Sequence, residues 1–204
     1  MITSAGQPWS VPSRPHPPEG VRALLFDCDG TLVDTMGLHQ VVWSELFAEH
    51  GFSLTDEWWE ETGNVALEPF VRAALPDASD ELIARLRDDS ITLFGERLHL
   101  LEPLEHVVEV ARRFHGVLPM AVCSGGFRQP VLDSLDAVGI TSLFDHIVTA
   151  DDVVHSKPAP DLYLLGMARL RVGPDEVVVY EDSEIGIASA SAAGVARIVD
   201  VRLP

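Results

Sequence analysis

The sequence has little positive charge and no long apolar run. Only 14 of its 204 residues are Lys or Arg, against 32 Asp or Glu, which gives a formal net charge of -18. Binding to nucleic acid regardless of sequence needs clustered cations, so we expect no nucleic-acid partner. No apolar stretch approaches the roughly 20 residues that cross a bilayer, so we expect no membrane partner.

Cysteine is also scarce. Cys28 and Cys123 are too few for a disulfide framework and lack the spacing of a metal site. Residues 1–20 contain five prolines and no basic segment followed by an apolar one. We therefore expect a flexible leader there rather than a secretory signal. With 47% apolar and 23% charged residues, the composition is that of an ordinary globular protein, and we expect a cytoplasmic location.

Short apolar runs bounded by Gly, Pro or Asp predict buried strands. These runs are Val21–Phe26, Leu118–Cys123, His146–Thr149, Val177–Tyr180 and Ala196–Val199. Helical patterns lie between them, at Leu104–Phe114, Pro130–Val138, Asp161–Leu170 and Ile185–Ala193. The alternation predicts an α/β fold in which a doubly wound parallel sheet of about five strands carries helices on both faces.

Residues 35–100 interrupt this alternation and contain only helical patterns. The segment from Asp34 to Leu100 has 14 acidic and 4 basic residues, so -10 of the net charge of -18 lies there. We predict an all-helical cap inserted after the first strand, at the sheet edge where α/β proteins bind ligands. The predicted division is a leader over residues 1–20, a core domain over 21–34 and 101–204, and a cap domain over 35–100.

Polar residues follow the predicted strands in four loops, and such loops emerge together at one edge of a parallel sheet. Asp27 and Asp29, followed by Gly30 and Thr31, come directly after the first strand. Two carboxylates at this spacing can face a metal, while the glycine lets the backbone turn tightly and approach an anion. By itself this loop is also compatible with a solvated acidic turn.

The other three loops supply a hydroxyl, a cation and two more carboxylates. Ser124 and Gly125 offer a hydroxyl and bare N–H groups before a helix, which suits a phosphate. Lys157 is the only lysine in the chain, and an ammonium fits between a carboxylate and a phosphate better than a guanidinium does. Glu181 and Asp182 repel each other unless a cation lies between them, which favours Mg²⁺ and its oxygen ligands.

Taken in this order, the four loops resemble the motifs of the haloacid dehalogenase (HAD) superfamily of phosphotransferases, in the subfamily with a helical cap. FDCDGTLVD resembles the first motif, CSGG the second, SKPAPD the third and YEDSEIG the fourth. The β-phosphoglucomutase-like branch is the most similar one, on the basis of KPAPD, the pattern EDSxxGIxxAxxAG, and His39 with Trp43. Within it, PMAV and the ending VARIVDVRLP are most similar to phosphatases of fructose 1-phosphate and related sugar phosphates.

The resemblance implies a two-step mechanism. Asp27 would attack the phosphorus in line and form an aspartyl-phosphate, which splits one hard step into two. Asp29 would protonate the leaving sugar oxygen and then take a proton from the attacking water. Because the pKa of an unperturbed Asp is about 3.9, the acid role requires a raised pKa for Asp29 in the closed site.

The resemblance also implies a cofactor. Mg²⁺ would be held by Asp27, the backbone carbonyl of Asp29, and Asp182, with Glu181 binding it directly or through water. The cation would offset the repulsion between a carboxylate nucleophile and a phosphate dianion. The implied partner is a small phosphorylated metabolite, and we expect a monomer.

The remaining site residues would contact the substrate. Lys157 and Ser124 would hold the oxygens of the transferring phosphoryl group, together with backbone N–H groups near Thr31 and Gly125. His39 would reach the proton-transferring aspartate from the first cap helix when the cap is closed. All of these assignments are what the resemblance implies for this sequence.

The cap bears on the type of reaction. β-Phosphoglucomutases hold two phosphates in turn and carry a cap arginine after a Gly-x-x pattern, whereas residues 63–66 here read GNVA, and Arg72 is the nearest arginine. This difference favours a phosphatase over a mutase that interconverts β-glucose 1-phosphate and glucose 6-phosphate. A non-catalytic phosphate-binding regulator is a further alternative, but it leaves the helical insertion and the acid pair unexplained.

Several other residues have competing interpretations. Trp43 shares a helix face with His39, and packing within the cap is favoured for it, as it is for Trp58 and Trp59. Arg128 fits equally well a substrate contact or a solvated position at the start of a helix.

Overall fold

A computed structural model describes residues 19–63 and 65–203. Of the predicted leader, only Glu19 and Gly20 fall within this range, and its other residues lie outside the described part. The strands, in chain order, are β1 (Ala23–Phe26), β2 (Val33–Asp34), β3 (Glu102–Pro103), β4 (Met120–Cys123), β5 (His146–Val148), β6 (Val177–Glu181) and β7 (Ile198–Asp200). The helices are α1 (Met36–Glu49), α2 (Asp56–Thr62), α3 (Leu67–Ala74), α4 (Asp80–Gly95), α5 (Glu105–Phe114), α6 (Arg128–Ala137), α7 (Asp161–Leu170) and α8 (Glu184–Ala192).

Five strands form one parallel sheet in the order β5-β4-β1-β6-β7. Strand β1 lies in the centre, where Leu25 pairs with Ala121 of β4 and with Val179 of β6. A central strand is covered on both faces and therefore needs apolar residues throughout, which is what the run ALLF provides. All four residues of β1 are buried.

Side chains alternate between two hydrophobic clusters, one on each face of the sheet. Leu24 and Phe26 point to the cluster that includes residues of α5, α6 and the cap helices. Ala23 and Leu25 point to the opposite cluster, formed with residues of α7 and α8. The predicted doubly wound α/β fold with helices on both faces is confirmed.

Helices α1 to α4 occupy the region between β2 and β3, as predicted for the helical insertion. They pack through an aromatic cluster in which Phe70 contacts Trp43 at 5.0 Å and Phe47 at 5.3 Å between ring centroids. Thr55 and Ser79 begin α2 and α4 with side-chain oxygens that accept a backbone N–H. The division into core and cap domains at residues 35 and 100 stays a prediction. Among the described helices, none combines the length and the apolar character needed to cross a bilayer.

A short antiparallel ribbon in the fold is not predicted by the sequence patterns. Strands β2 and β3 form an antiparallel ribbon in which Val33 pairs with Pro103 and Asp34 with Glu102. Two-residue strands are too short to show a period of two, so no pattern indicates them. This ribbon joins the two crossings of the chain between the sheet and helices α1 to α4.

Candidate active site

The four polar loops meet at the carboxyl end of the sheet, as predicted. They line a cavity of about 370 Å³, and residues of helices α1 to α4 form its other side. The core side of the cavity carries Asp27, Asp29, Ser124, Gly125, Lys157 and Asp182. The helical side carries His39, Trp43, Trp59, Phe70, Ile91 and Phe94.

Lys157 forms the centre of the polar side. Its Nζ lies 2.5 Å from Asp27 Oδ1 and 2.6 Å from Glu181 Oε1, and its side chain is only 8% exposed. Burial disfavours the ammonium, but the charges of Asp27 and Glu181 outweigh burial and raise the pKa of Lys157. The only lysine in the sequence is therefore a buried cation between two carboxylates.

Glu181 is fully buried, and both of its oxygens accept hydrogen bonds. Oε1 accepts from Lys157 Nζ and from the Tyr163 hydroxyl at 2.8 Å. Oε2 accepts from the backbone N–H groups of Asp182 and Ser183 and from the Ser183 hydroxyl, at 3.0–3.1 Å. Burial opposes the charge, but Lys157 and these donors lower the pKa of Glu181. A Cβ at Gly186 would overlap this carboxylate, so the first turn of α8 has no room for a side chain there.

Tyr163 is a site residue that the sequence patterns miss. It lies on α7, is fully buried, and places its ring 5.2 Å from Lys157 Nζ. A buried tyrosine hydroxyl needs a hydrogen-bond partner, and here that partner is Glu181. Helical spacing indicates only that Tyr163 belongs to the core. Its position six residues after Lys157, on the helix that follows the lysine loop, is the one sequence signal for a role in the site.

We expect Tyr163→Phe to weaken both the fold and catalysis. The substitution keeps the ring beneath Lys157 but removes a hydrogen bond to a buried carboxylate, at a cost of about 1.5–3 kcal/mol in unfolding free energy. Because Glu181 then holds Lys157 less rigidly, kcat/KM should fall by about tenfold. Denaturant unfolding and steady-state kinetics measure the two effects.

The matched control is Tyr180→Phe. The Tyr180 ring stacks on Phe26 at 4.8 Å, and its hydroxyl bonds to no carboxylate within the part of the chain that the structure describes. Equal losses in the two variants would contradict a specific role for the Tyr163 hydroxyl.

The carboxylates around Lys157 form a candidate metal site. Ligand oxygens of Asp27, Glu181 and Asp182 all lie within 4.8 Å of one another. Burial raises the pKa of Asp27 well above its usual value; Lys157 opposes this shift and the neighbouring carboxylates add to it. Burial, reinforced by Glu181, raises the pKa of Asp182 to about 6. Crowded carboxylates that resist ionisation are a suitable oxygen donor set for a divalent cation.

Asp29 lies beside this group and is held as an anion. Oδ1 accepts from the Thr35 hydroxyl at 2.7 Å and lies 3.5 Å from His39 Nε2, while Oδ2 accepts from the Ser124 hydroxyl at 3.2 Å. Burial opposes the charge, but His39 and the two hydroxyls lower the pKa of Asp29. The acid role predicts a raised pKa for Asp29, and the structure gives the opposite direction because hydrogen bonds from His39, Thr35 and Ser124 stabilise the carboxylate.

The loop after β4 is shaped by glycines. Gly125 lines the cavity, and Gly126 donates its backbone N–H to Ser124 Oγ at 2.9 Å. A Cβ at Gly126 would lie 3.1 Å from Asp29 Oδ2, which is tighter than ordinary contact. A small residue at this position therefore lets Ser124 and Asp29 approach each other.

Thr31 lies beneath the cavity rather than on its surface. Its hydroxyl donates to Asp182 Oδ1 at 2.8 Å, and its N–H donates to the carbonyl of Cys28 at 3.2 Å. The side chain is fully buried. The structure places the Thr31 hydroxyl where it orients Asp182, and the contact of backbone N–H groups near Thr31 with the substrate stays a prediction.

The aromatic residues of the helical side have mixed positions. His39 stacks on Phe94 at 4.5 Å, and Trp43 and Trp59 both line the cavity while packing against Phe70. Trp58 packs in the aromatic cluster with Phe70 and two other phenylalanines.

Arg128 pairs with Asp152, which also accepts a hydrogen bond from Arg169. Arg128 is not one of the described residues that line the cavity. The pairing ties the start of α6 to the loop after β5.

Comparisons with known proteins agree with this geometry. The model of the haloacid dehalogenase-like hydrolases matches residues 21–194. Fructose-1-phosphate phosphatase YqaB of Escherichia coli is 34% identical over 91% of this chain and 98% of its own. A phosphorylated carbohydrates phosphatase of Thermotoga maritima is 28% identical over 89% of this chain and 85% of its own. The fold resembles that of β-phosphoglucomutase from Clostridium difficile, with a TM-score of 0.77 at 19% identity over 90% and 93% of the two chains.

These findings confirm the resemblance and the enzyme class that it implied. Both the family match and the relatives named as phosphatases support a phosphoric monoester hydrolase. The structural likeness confirms the predicted fold. The chain belongs to the haloacid dehalogenase-like hydrolase family.

Proposed function

We propose that this enzyme is a magnesium-dependent phosphatase that hydrolyses small sugar phosphates resembling fructose 1-phosphate. The observation that carries this proposal is the position of Lys157 between Asp27 and Glu181, with Asp182 beside them, at the polar end of the cavity. A carboxylate nucleophile can approach an anionic ester only when a cation such as the Lys157 ammonium lies nearby. The relatives named as phosphatases of fructose 1-phosphate and of phosphorylated carbohydrates support the substrate class.

In the proposed first step, a carboxylate oxygen of Asp27 attacks the phosphorus and the bond to the sugar oxygen breaks. Lys157 and Ser124 hold the phosphoryl oxygens, and the N–H groups of the loop at Gly125 add donors. Because Asp29 is held as an anion, it first takes up a proton, relayed by His39 3.5 Å away, and then passes this proton to the leaving oxygen. In the second step Asp29 takes a proton from water, and the water oxygen attacks the phosphorus. The bond between phosphorus and the Asp27 oxygen breaks, which releases inorganic phosphate and restores the Asp27 carboxylate.

The donor set fits Mg²⁺. Asp27, Asp182 and the backbone carbonyl of Asp29 would hold the cation. Glu181 belongs to the same acidic group, but its two oxygens accept five hydrogen bonds, which favours contact with the cation through water. When bound, the cation lowers the repulsion between the attacking carboxylate and the phosphate.

The alternative is a β-phosphoglucomutase. Such an enzyme has to hold a second phosphate, which a phosphatase does not. Gly63, Val65 and Ala66 line the cavity, but within residues 19–63 and 65–203 no cap arginine does. Arg72 instead bonds to Glu68 and Asp80, at 3.0 and 2.7 Å. Hydrolysis is therefore favoured over transfer between two sugar positions.

The test is to incubate the purified enzyme with fructose 1-phosphate and, separately, with β-glucose 1-phosphate. We expect inorganic phosphate in the presence of Mg²⁺, none after treatment with EDTA, and recovery when Mg²⁺ is added back. Formation of glucose 6-phosphate would instead show a mutase. No reaction with either ester or with p-nitrophenyl phosphate would favour the non-catalytic regulator. The monomeric state and the cytoplasmic location stay predictions.

A further inference from the structure

The cavity has one charged end and one uncharged end. Of the lysines and arginines that the structure describes, only Lys157 lines the cavity, and its ammonium lies at the end where Asp27 and Asp182 are found. The opposite wall is formed by apolar side chains such as Trp59, Leu67 and Ile91. Its polar side chains among the described residues are His39 and Ser90.

None of the four arginines of the cap lines the cavity. Arg72 bonds to Glu68 and Asp80, and Arg97 bonds to Glu45 at 2.8 Å. Arg87 bonds to its neighbour Asp88 and lies over the ring of Phe127, 5.9 Å from its centroid. Arg85 is exposed and does not line the cavity.

The uncharged end is formed by residues of a chain segment that is acidic as a whole. Residues 34–100 carry a net charge of -10, from 14 acidic and 4 basic residues. A second anionic group on the substrate would leave water for an apolar wall within a negatively charged cap. An anion placed there loses its hydration without gaining a cationic partner, which disfavours its binding.

We propose that the enzyme selects phosphate monoesters whose alcohol part is uncharged, and that it discriminates against sugar bisphosphates and phosphorylated acids. This inference rests on the proposed phosphatase function and specifies its substrate class. The apolar wall contacts the C–H faces of the alcohol, while His39 and Ser90 offer the polar contacts. Discrimination arises from the lack of a partner for a second anion, rather than from the size of the substrate.

Ile91 is the position at which this selectivity can be altered. It lies on α4, is half-buried and faces the cavity, whereas the next residue, Thr92, is exposed to solvent. Ile91→Lys adds an ammonium inside the cavity. Thr92→Lys adds the same charge to the same helix on its outer side, so it serves as the matched control. Val65→Lys, at a cavity-lining position that is 41% exposed, is a second test should Ile91→Lys fail to fold.

The experiment compares kcat/KM for fructose 1-phosphate and fructose 1,6-bisphosphate, scored by total phosphate release. We expect the wild-type enzyme to prefer the monophosphate by about a hundredfold. Ile91→Lys or Val65→Lys should narrow that preference by about tenfold, and Thr92→Lys should leave it within about twofold.

Equal use of the two esters by the wild-type enzyme would overturn the inference while leaving the phosphatase intact. An unchanged preference in folded Ile91→Lys and Val65→Lys, or an equal change in Thr92→Lys, would overturn it too. Release of phosphate from neither ester would overturn both the inference and the proposed function.

Discussion

Asp27→Asn should abolish phosphate release while the fold persists. The amide cannot attack phosphorus as a carboxylate does, so we expect kcat to fall by about four orders of magnitude or more. The fold should tolerate the change, because burial and the neighbouring carboxylates already raise the pKa of Asp27 and oppose its charge. Lys157 also keeps its bond to Glu181, 2.6 Å away. Phosphate release and thermal unfolding, measured on the same preparation, check both parts.

The control for this prediction is Asp89→Asn, the same chemical change at an exposed position of α4. It should leave kcat within about twofold, as surface substitutions usually have small effects. Substantial residual activity in Asp27→Asn would show that another group is the nucleophile.

Lys157→Met should cost both activity and stability. The substitution leaves Asp27 and Glu181, with side chains 9% and 0% exposed, without the ammonium between them. Removing one partner of a buried ion pair typically costs about 3–5 kcal/mol, because an uncompensated charge remains. The loss of a cation that holds the phosphoryl group should lower kcat/KM by about a thousandfold.

The pKa shifts determine the pH at which the loss of stability in Lys157→Met should be measured. The pKa of Glu181 is lowered, so its contribution to stability is present above its unfolded value and lost in acid. The pKa of Lys157 is raised, so its contribution is present below its unfolded value and lost in alkali. The full loss should therefore appear between about pH 5 and pH 10, and unfolding by denaturant at pH 7 without divalent cations measures it.

Two further variants separate the causes. Arg112→Met breaks an ion pair of the same 2.5 Å length, but its side chains are 43% and 62% exposed, so it should cost at most about 1 kcal/mol. Adding Glu181→Gln to Lys157→Met removes one of the stranded charges, and should recover part of the stability without recovering activity. A Lys157→Met protein as stable as the wild type would contradict the buried ion pair.

The central sheet could be predicted from the sequence, because its strands are short runs with apolar residues on both faces. The run at 161–170 predicts α7 to the residue, since its apolar spacing and its flanking proline are both clear. The ribbon of β2 and β3 could not be predicted, because two residues carry no periodicity. Where predicted and observed strand ends differ, they differ by one or two residues, as at β1, where the sequence indicates a start at Val21 and the structure starts at Ala23.

The candidate site was predictable where chemistry demands rare residues at strand ends. Lys157 stood out as the only lysine, and the carboxylates stood out because they interrupt apolar runs. Contacts between distant elements were not predictable: nothing in the sequence indicates that Tyr163 bonds to Glu181 or that Thr31 turns toward Asp182. The lowered pKa of Asp29 depends on three such contacts, which explains why the expectation from its role alone was different.

The most direct test of the account is to trap the acyl-phosphate. The enzyme would be mixed with Mg²⁺ and fructose 1-phosphate, quenched in acid within milliseconds and reduced with borohydride, which converts a phosphorylated aspartate to homoserine. Mass spectrometry of the resulting peptides then locates the change. We expect homoserine at position 27 and at no other aspartate. Homoserine at position 29 or 182, or phosphate release with no reduced residue, would contradict nucleophilic attack by Asp27.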